Sequence, residues 1–578
     1  MIHEDKIKKV LLNNQILTPD KLADFIVQCR RKKASLIDFI ITSKLISEQD
    51  LYNLIAKEYR IPFIDLRNRT LDSKILNLLP ENIVQTHQAV IFEQNLKKNL
   101  IKIATTDPDD LQTIDFIRKK TNCLVEVYFT SPVSIKNIAQ QYHKGLEAEF
   151  ANISNLPLTG KAKPIDKLNI LAEEIPIIKV VDTLLEYAIF EGASDIHIEP
   201  TEKDIVIRYR IDGILKDVMT LPKSIQAGMS ARVKVLANLK LDEHRLPQDG
   251  RFKIETEEYK VAFRVSILPV YDGEKIVLRL LDESKQITTL EQLGILEEPL
   301  EILKKNIKKP HGMILVTGPT GSGKTTTLYT ILNLLNTPQV NISTVEDPIE
   351  YRMPRVNQSQ INPKIGFTFA HGLRALLRQD PNIIMVGEIR DQETAEIATL
   401  AAMTGHLVLS TLHTNDAAGA IPRLAEMGVP NFLISSTVNI IIAQRLVRKI
   451  CQNCIYSYNL QKEDLLQIER QFQFKNILQN LEKHNEISSK DVPMDELNFF
   501  RGKGCVKCKN TGYKGRIGIY EIMEVNDNIA QLITKNSSRL ELYEEALKNN
   551  LIAIPQDGFI KAKRGLTTIE EILRVTKE

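Results

Sequence analysis

The sequence predicts a multidomain α/β protein. Its C-terminal half should be a parallel sheet of the P-loop (RecA-like) type, preceded by an α+β domain and an N-terminal helical and α+β region. Three observations carry this. Residues Gly318 to Thr325 read G-P-T-G-S-G-K-T, which fits the phosphate-loop pattern G-x-x-x-x-G-K-[ST] at every fixed position. Short apolar runs alternate with helical spacing on both sides of that segment. Two C-x-x-C pairs, Cys451/Cys454 and Cys505/Cys508, fall in the same half and point to a zinc-binding insertion.

Residues 1–70 read as a helical domain. Leu11, Leu12, Ile16, Leu17, Leu22, Phe25 and Ile26 recur at helical spacing, and Leu36, Phe39, Ile40, Leu45, Ile46, Leu51, Leu54 and Ile55 repeat the layout. Thr18-Pro19-Asp20-Lys21 and Ser47-Glu48-Gln49-Asp50 are the expected helix starts of this weak duplication. Residues 71–145 read as a small α+β domain. Ala89–Phe92 and Leu100–Ala104 are strand-like, and Asp107–Asp110 opens a helix. Residues 146–170, with Pro157, Gly160 and Pro164, read as a linker.

Residues 171–285 read as a second α+β domain. In its first helix Ile177, Val180, Val181, Leu184, Leu185, Ala188 and Ile189 make one apolar face, and Gly192 ends it. Strands follow at Asp195–Glu199, Ile205–Arg210 and Ile214–Val218, with Asp212-Gly213 as a hairpin turn. Further strands are expected at Tyr259–Ile267 and Lys275–Leu281. Residues 286–578 form the P-loop domain, interrupted by the cysteine-bearing insertion at 448–515.

Within that domain, the apolar run Met313–Val316 should be the strand before the loop, and Thr326–Leu332 a helix after it. Gly318, Gly321 and Gly323 let backbone N–H groups turn inward around phosphate oxygens. The triphosphate-binding segment is Gly318, Pro319, Thr320, Gly321, Ser322, Gly323, Lys324, Thr325 and Thr326. Lys324 brings a cation to the outer phosphates, and the Thr325 hydroxyl is the Mg²⁺ ligand. Asn341–Val345 reads as a strand running into Glu346-Asp347-Pro348-Ile349-Glu350. Asn382–Val386 is another, ending in Gly387 and Glu388, the Walker-B layout. Gly405–Asp416 is a third buried strand with a polar end, and His413 sits where a γ-phosphate sensor would.

Composition narrows the class. A net charge of +3 over 578 residues gives no support for a nucleic-acid binder working by bulk electrostatics. The basic runs Arg30–Lys33 and Lys304–Lys309 read as solvated helix faces. The chain start lacks signal-peptide features, and no stretch reaches the ~18 apolar residues of a span. A cytoplasmic protein is expected, meeting the membrane only through partners. In that compartment Cys29 and Cys123 are isolated thiols, and the four paired cysteines point to structural Zn²⁺. The 50 residues between the pairs exceed the usual spacing of a compact ribbon, so a polar excursion is expected there.

Together these segments resemble the secretion ATPases of type IV pilus and type II secretion systems. The resemblance covers the phosphate loop, T-V-E-D-P-I-E (Thr344–Glu350), L-R-A-L-L-R-Q-D-P-N-I-I-M-V-G-E-I-R-D (Leu373–Asp391) and the histidine segment Gly405–Asp416. It extends to Ser194–Pro200, Arg208–Gly213 and Pro247–Arg251. It implies Glu346 as catalytic base, Glu388 as a residue holding Mg²⁺ and water, and Arg264, Arg279, Arg374 and Arg378 as phosphate-contacting arginines. It implies ATP hydrolysis by a homohexamer, between the arginine-bearing and P-loop domains, acting on an inner-membrane platform protein. The tetracysteine module and long N-terminal region are similar to the pilus-extension members, with the type II secretion ATPase as the alternative. A nucleic-acid translocase and an ATP-gated scaffold are the readings from other classes. Some members bind cyclic di-GMP through an R-L-G-like start. Here Lys6 and Ser35 stand at the arginine positions and Lys8 and Ile37 at the glycine positions, which argues for partner docking there instead.

Overall fold

The structure is a computed structural model of the chain. It describes residues 4–14, 16–19, 21–22, 25, 36–43, 45–76, 78–79, 83–84, 87–139, 141, 175–256, 259–282, 289–472, 474–508 and 510–576. The expected linker at 146–170, Cys29, Ser35, the Arg30–Lys33 run and Asp20 of the first repeat's helix start lie outside these residues. The chain divides into two compact units. One is built on residues 1–252, 264–279 and 505–509, the other on 253–263, 280–504 and 510–578.

The first unit begins with helices Glu4–Asn13, Leu36–Thr42 and Glu48–Glu58. Ile7, Leu11, Phe39, Ile40, Leu51 and Ile55 bury their side chains in one cluster, as the helical spacing requires. Ser47 caps the third helix by accepting from Asp50 N–H at 3.1 Å. A three-stranded sheet follows, β1 (Ala89–Asn95), β2 (Leu100–Thr105) and β3 (Leu124–Phe129), with β1 antiparallel and β3 parallel to β2. The connecting helix Leu111–Thr121 starts at the expected Asp110, which accepts from Thr113 N–H.

Helix Ile175–Phe190 then leads into a six-stranded sheet. Its strands are β4 (Asp195–Pro200), β5 (Asp204–Ile211), β6 (Ile214–Pro222), β7 (Gln248–Glu255), β8 (Lys260–Val270) and β9 (Gly273–Asp282), in the order β6-β5-β4-β9-β8-β7. Asp212 and Gly213 both take positive φ, 50° and 85°, so the β5–β6 hairpin closes as its D-G pair predicts. Strand β7 was not expected: Pro247, Asp249 and Gly250 read as turn residues and mask a strict alternation of more and less exposed positions.

The second unit is organised by a seven-stranded sheet. Its strands are β10 (Gly312–Thr317), β11 (Ile342–Glu346), β12 (Val356–Gln360), β13 (Ile383–Val386), β14 (Leu407–Leu412) and β15 (Val438–Ile450). After β16 (Ile455–Asn459) and β17 (Asn498–Gly502), a separate two-stranded sheet, β18 (Tyr513–Glu524) completes it. The order is β12-β11-β13-β14-β10-β15-β18. Six strands run parallel, and only β18 is antiparallel, against β15. Every residue of β10, β13 and β14 is buried, because helices cover both faces of the sheet. The strands therefore present their carboxyl ends along one edge, where α/β sheets bind ligands.

Helix Ile554–Lys563, the last but one among the described residues, carries a fully buried ion pair. Asp557 accepts from Lys561 Nζ at 2.6 Å and from the Tyr520 N–H at 2.7 Å, while Lys561 also donates to the Gly518 carbonyl at 2.7 Å. Removing one partner strands the other charge away from water. Asp557→Ala should destabilise the second unit by about 3–5 kcal/mol, seen as a lowered thermal midpoint; an unchanged midpoint would show that the pair contributes nothing.

Candidate functional site

The phosphate loop links the carboxyl end of β10 to helix Lys324–Leu335. Its shape depends on two glycines. Gly318 has φ 143°, and a Cβ there would stand 2.5 Å from the Gln444 carbonyl oxygen on β15. Gly323 has φ 91° at the position that caps the helix. Gln444 ties the loop down from the other side. Its Nε2 donates to the Ser322 carbonyl at 2.8 Å, and its Oε1 accepts from Thr327 Oγ1 at 2.8 Å. Pro319, Thr320 and Gly321 form the outer arc, with Thr320 and Gly321 exposed. Lys324 Nζ donates to the Gly318 and Pro319 carbonyls at 2.8 and 3.2 Å. Burial pulls its pKa below the usual lysine value, and the Glu388 carboxylate opposes that. Thr325 lies half-buried and Thr326 exposed at the first turn of the helix.

The neighbouring strand tips converge on this loop. Thr317, the last residue of β10, exchanges hydrogen bonds with Thr414 just past β14, at 2.7 Å between hydroxyls and 2.8 Å from Thr414 N–H. Glu388, two residues past β13, meets His413 Nε2 at 3.1 Å and Arg390 Nε at 2.6 Å. Glu388 and His413 are thus one contact, assembled from two adjacent strands. Arg445 on β15 donates to the Asn415 carbonyl and side-chain oxygens, both at 3.2 Å. Buried Glu521 on β18 accepts the Ala417 N–H at 2.8 Å, and Arg539 pairs with Asp416. The histidine segment is held on four sides.

Glu346 ends β11, as expected, but its side chain is 2% exposed and turned inward. It accepts from Tyr329 Oη, from Thr344 Oγ1 at 2.5 Å and from Gln358 Nε2 at 3.1 Å. Burial holds its pKa above the ordinary carboxylate value, and the Thr344, Tyr329 and Gln358 hydrogen bonds offset only part of that. Arg374 pairs with Glu393 at 2.6 Å, and Arg378 donates to the Arg374 carbonyl at 2.9 Å. Arg264 and Arg279 lie in the first unit, exposed on β8 and β9; Arg279 Nε donates to Asp195 at 2.9 Å. Sequence reasoning missed Tyr329, Gln358, Arg390, Gln444 and Arg445. The one available signal was spacing: Tyr329 falls one helical turn after Thr325.

The cysteines meet as expected. Cys451, Cys454, Cys505 and Cys508 bring four sulfurs within 4.8 Å of one another. Cys505 and Cys508 Sγ are 3.7 Å apart. Tetrahedral Zn–S bonds of about 2.3 Å require S···S distances of about 3.8 Å, so the donor set fits zinc. Cys505 N–H points at Cys508 Sγ at 3.1 Å, the kind of hydrogen bond that favours a thiolate. A close backbone crossing holds the module, since a Cβ on Gly502 would stand 2.2 Å from the Gly512 carbonyl oxygen.

A phosphate loop at the carboxyl edge of a parallel sheet, flanked by acids on neighbouring strand tips, defines a P-loop nucleoside triphosphatase. The chain belongs to the type II/IV secretion system protein family, whose profile matches residues 171–574. An MshEN domain profile matches residues 59–149. The type IV pilus assembly ATPase PilB of Myxococcus xanthus is 37% identical over 578 residues, covering 98% of both chains. The type II secretion system protein E of Pseudomonas aeruginosa is 45% identical over 408 residues, covering 70% of this chain and 76% of that one. The crystal structure of the pilus retraction motor PilT with bound ADP is similar at 27% identity and TM-score 0.46, covering 69% of this chain and 97% of that one.

Two outcomes follow from this geometry. Cys451→Ser should release bound metal and lower the thermal midpoint, with elemental analysis of the parent chain finding about one zinc per chain; a fully folded parent without metal would defeat the assignment. Burial pushes Glu521 up to about 7 from the ordinary 4.5. The folded chain then holds this proton more tightly than the unfolded one. Its contribution is full below the ordinary value and is lost as pH rises through about 7. Raising pH from about 5 to about 8 should lower the parent's thermal midpoint more than that of Glu521→Gln; parallel profiles would contradict this.

Proposed function

We propose that this protein is a cytoplasmic motor ATPase that drives assembly of a type IV pilus. It would act as a homohexamer on an inner-membrane platform protein, without direct contact to nucleic acid. The observation that carries the reading is the Glu388–His413 contact beside the Lys324 loop. It supplies an acid and a γ-phosphate sensor where a P-loop enzyme needs both. Near full-length similarity to pilus assembly ATPases supports the biological role. A second reading, the type II secretion ATPase, is favoured by the higher identity of those relatives over a shorter span. Among the described residues no helix is long and apolar enough to cross a membrane, which agrees with association through partners.

In this reading the loop amides and Lys324 bind and orient the triphosphate. Mg²⁺, held by Thr325 and Glu388 with the β- and γ-phosphates, would neutralise their charge. Glu346 takes a proton from water as its oxygen bonds to the γ-phosphorus. The bond to the bridging oxygen breaks, and ADP leaves with that electron pair. Arg264, Arg279, Arg374 and Arg378 are proposed to neutralise phosphate charge, a task suited to the guanidinium fork. Zn²⁺ on the four cysteines is structural, because a closed S₄ site has no open position.

Glu388→Gln should cut turnover by roughly 100-fold while leaving ATP affinity near that of the parent, whereas Lys324→Ala should lose both. Steady-state phosphate release and nucleotide-binding titration check this; full turnover by Glu388→Gln removes the mechanism.

A further inference from the structure

Glu346 is surrounded by donors that the phosphate-loop pattern does not require. Tyr329 lies on the phosphate-loop helix and is fully buried, with its ring packed edge-on against Tyr351 at 4.5 Å. Its hydroxyl donates to Glu346 Oε2. Gln358 sits on the sheet-edge strand β12. Its Nε2 donates to Glu346 Oε1 at 3.1 Å and to the Tyr351 carbonyl at 3.1 Å, and stands 3.3 Å from Tyr329 Oη. Thr344 Oγ1 completes the set on Oε1. A carboxylate offers about four acceptor positions. Two on Oε1 and one on Oε2 are taken, which leaves one lone pair on Oε2.

We propose that Tyr329 and Gln358 are positioning residues that hold the buried Glu346 ionised and aimed, so that its remaining Oε2 lone pair takes the proton of the attacking water. This rests on Glu346 being the general base. Burial alone favours the neutral acid, which has no basicity to offer. Three neutral donors oppose that, offsetting part of the burial effect, without bringing a cation, which would compete with the water for the carboxylate. The titratable groups that interact with Glu346 are Tyr329 from the helix and Tyr351 from the loop after β11, and both tyrosines also feel Glu350. Burial and the Glu346 charge push both tyrosines up, Tyr351 to about 12, so both stay protonated across the working pH range and Tyr329 remains a donor. Because Tyr329 rides on the helix that starts at Lys324, the same rigid element sets the phosphates and the base.

The test compares pH profiles of kcat for the full-length chain with Mg-ATP. Tyr329→Phe keeps the ring and removes only the hydroxyl. The acid limb of kcat should move up by about one pH unit. Turnover should recover to within about threefold on the alkaline plateau, with KM for ATP within about twofold of the parent. Gln358→Leu should move the limb in the same direction, and it keeps the idea testable if Tyr329→Phe does not fold. Folded variants whose acid limb stays in place, or whose turnover falls equally at all pH values, overturn the proposal. Glu346→Gln separates the two levels. If it retains parental turnover, the base assignment itself fails and the proposal falls with it. If it is inactive while both variants keep the parental profile, only the positioning role fails.

Discussion

The site depends on the close passage of β15 under the phosphate loop. Gln444 is the centre of that contact. Its carbonyl occupies the space a side chain at position 318 would need, and its amide bridges the loop at Ser322 to the helix at Thr327. A loop that must present N–H groups inward cannot use them to fold itself. It needs outside partners to be rigid before a ligand arrives, and β15 is that partner. This explains why β15 and β18 are the longest strands of the sheet. The β15–β18 pair extends past the edge of the domain to the cysteine module, where Cys451 follows directly on the last residue of β15. Arg448 near that end is fixed by Glu571 at 2.7 Å and lies over the Tyr513 ring at 3.9 Å. A four-cysteine cluster, an ion pair and a ring contact therefore lie at one end of the strand whose middle supports the loop.

Three carboxylates near the site show how surroundings divide labour among identical groups. Glu388 faces Arg390 and His413. Glu346 is buried among neutral donors. Glu521 is pushed up to about 7 by burial, with Asp416 nearby adding repulsion and the Ala417 N–H opposing both. Sequence pattern singled out the first two because they end apolar strands. Glu521 sits inside a strand, and only packing reveals that it steadies the histidine segment.

What was legible in the sequence was whatever local chemistry dictates. The glycine pattern of the loop, the apolar runs of β10, β13 and β14, the D-G hairpin at 212–213 and the two C-x-x-C pairs each carry their structural reason within a few residues. The antiparallel course of β18 was not legible, because an apolar strand reads alike in either direction. Strand β7 was hidden by turn-forming residues that here lie in a half-exposed strand. The inward turn of Glu346 was hidden too. Its partners come from positions 17 residues earlier and 12 later, and no local pattern connects them.

The N-terminal α+β region follows the same logic at larger scale. His87 Nδ1 lies 3.2 Å from Asp110, and its Nε2 lies 3.3 Å from Glu191, at the end of helix Ile175–Phe190. Phe116 and Phe190 pack ring to ring at 4.4 Å. Lys120 reaches Glu186 at 2.5 Å. These contacts fasten the small sheet to a helix that is itself tied to the six-stranded sheet, since the buried Tyr209 hydroxyl donates to the Leu184 carbonyl at 2.7 Å. Tyr209 is flanked on β5 by Arg210, which faces the same Asp195 that holds Arg279. A series of contacts through one helix and two strands thus joins the N-terminal region to an arginine proposed to meet phosphate.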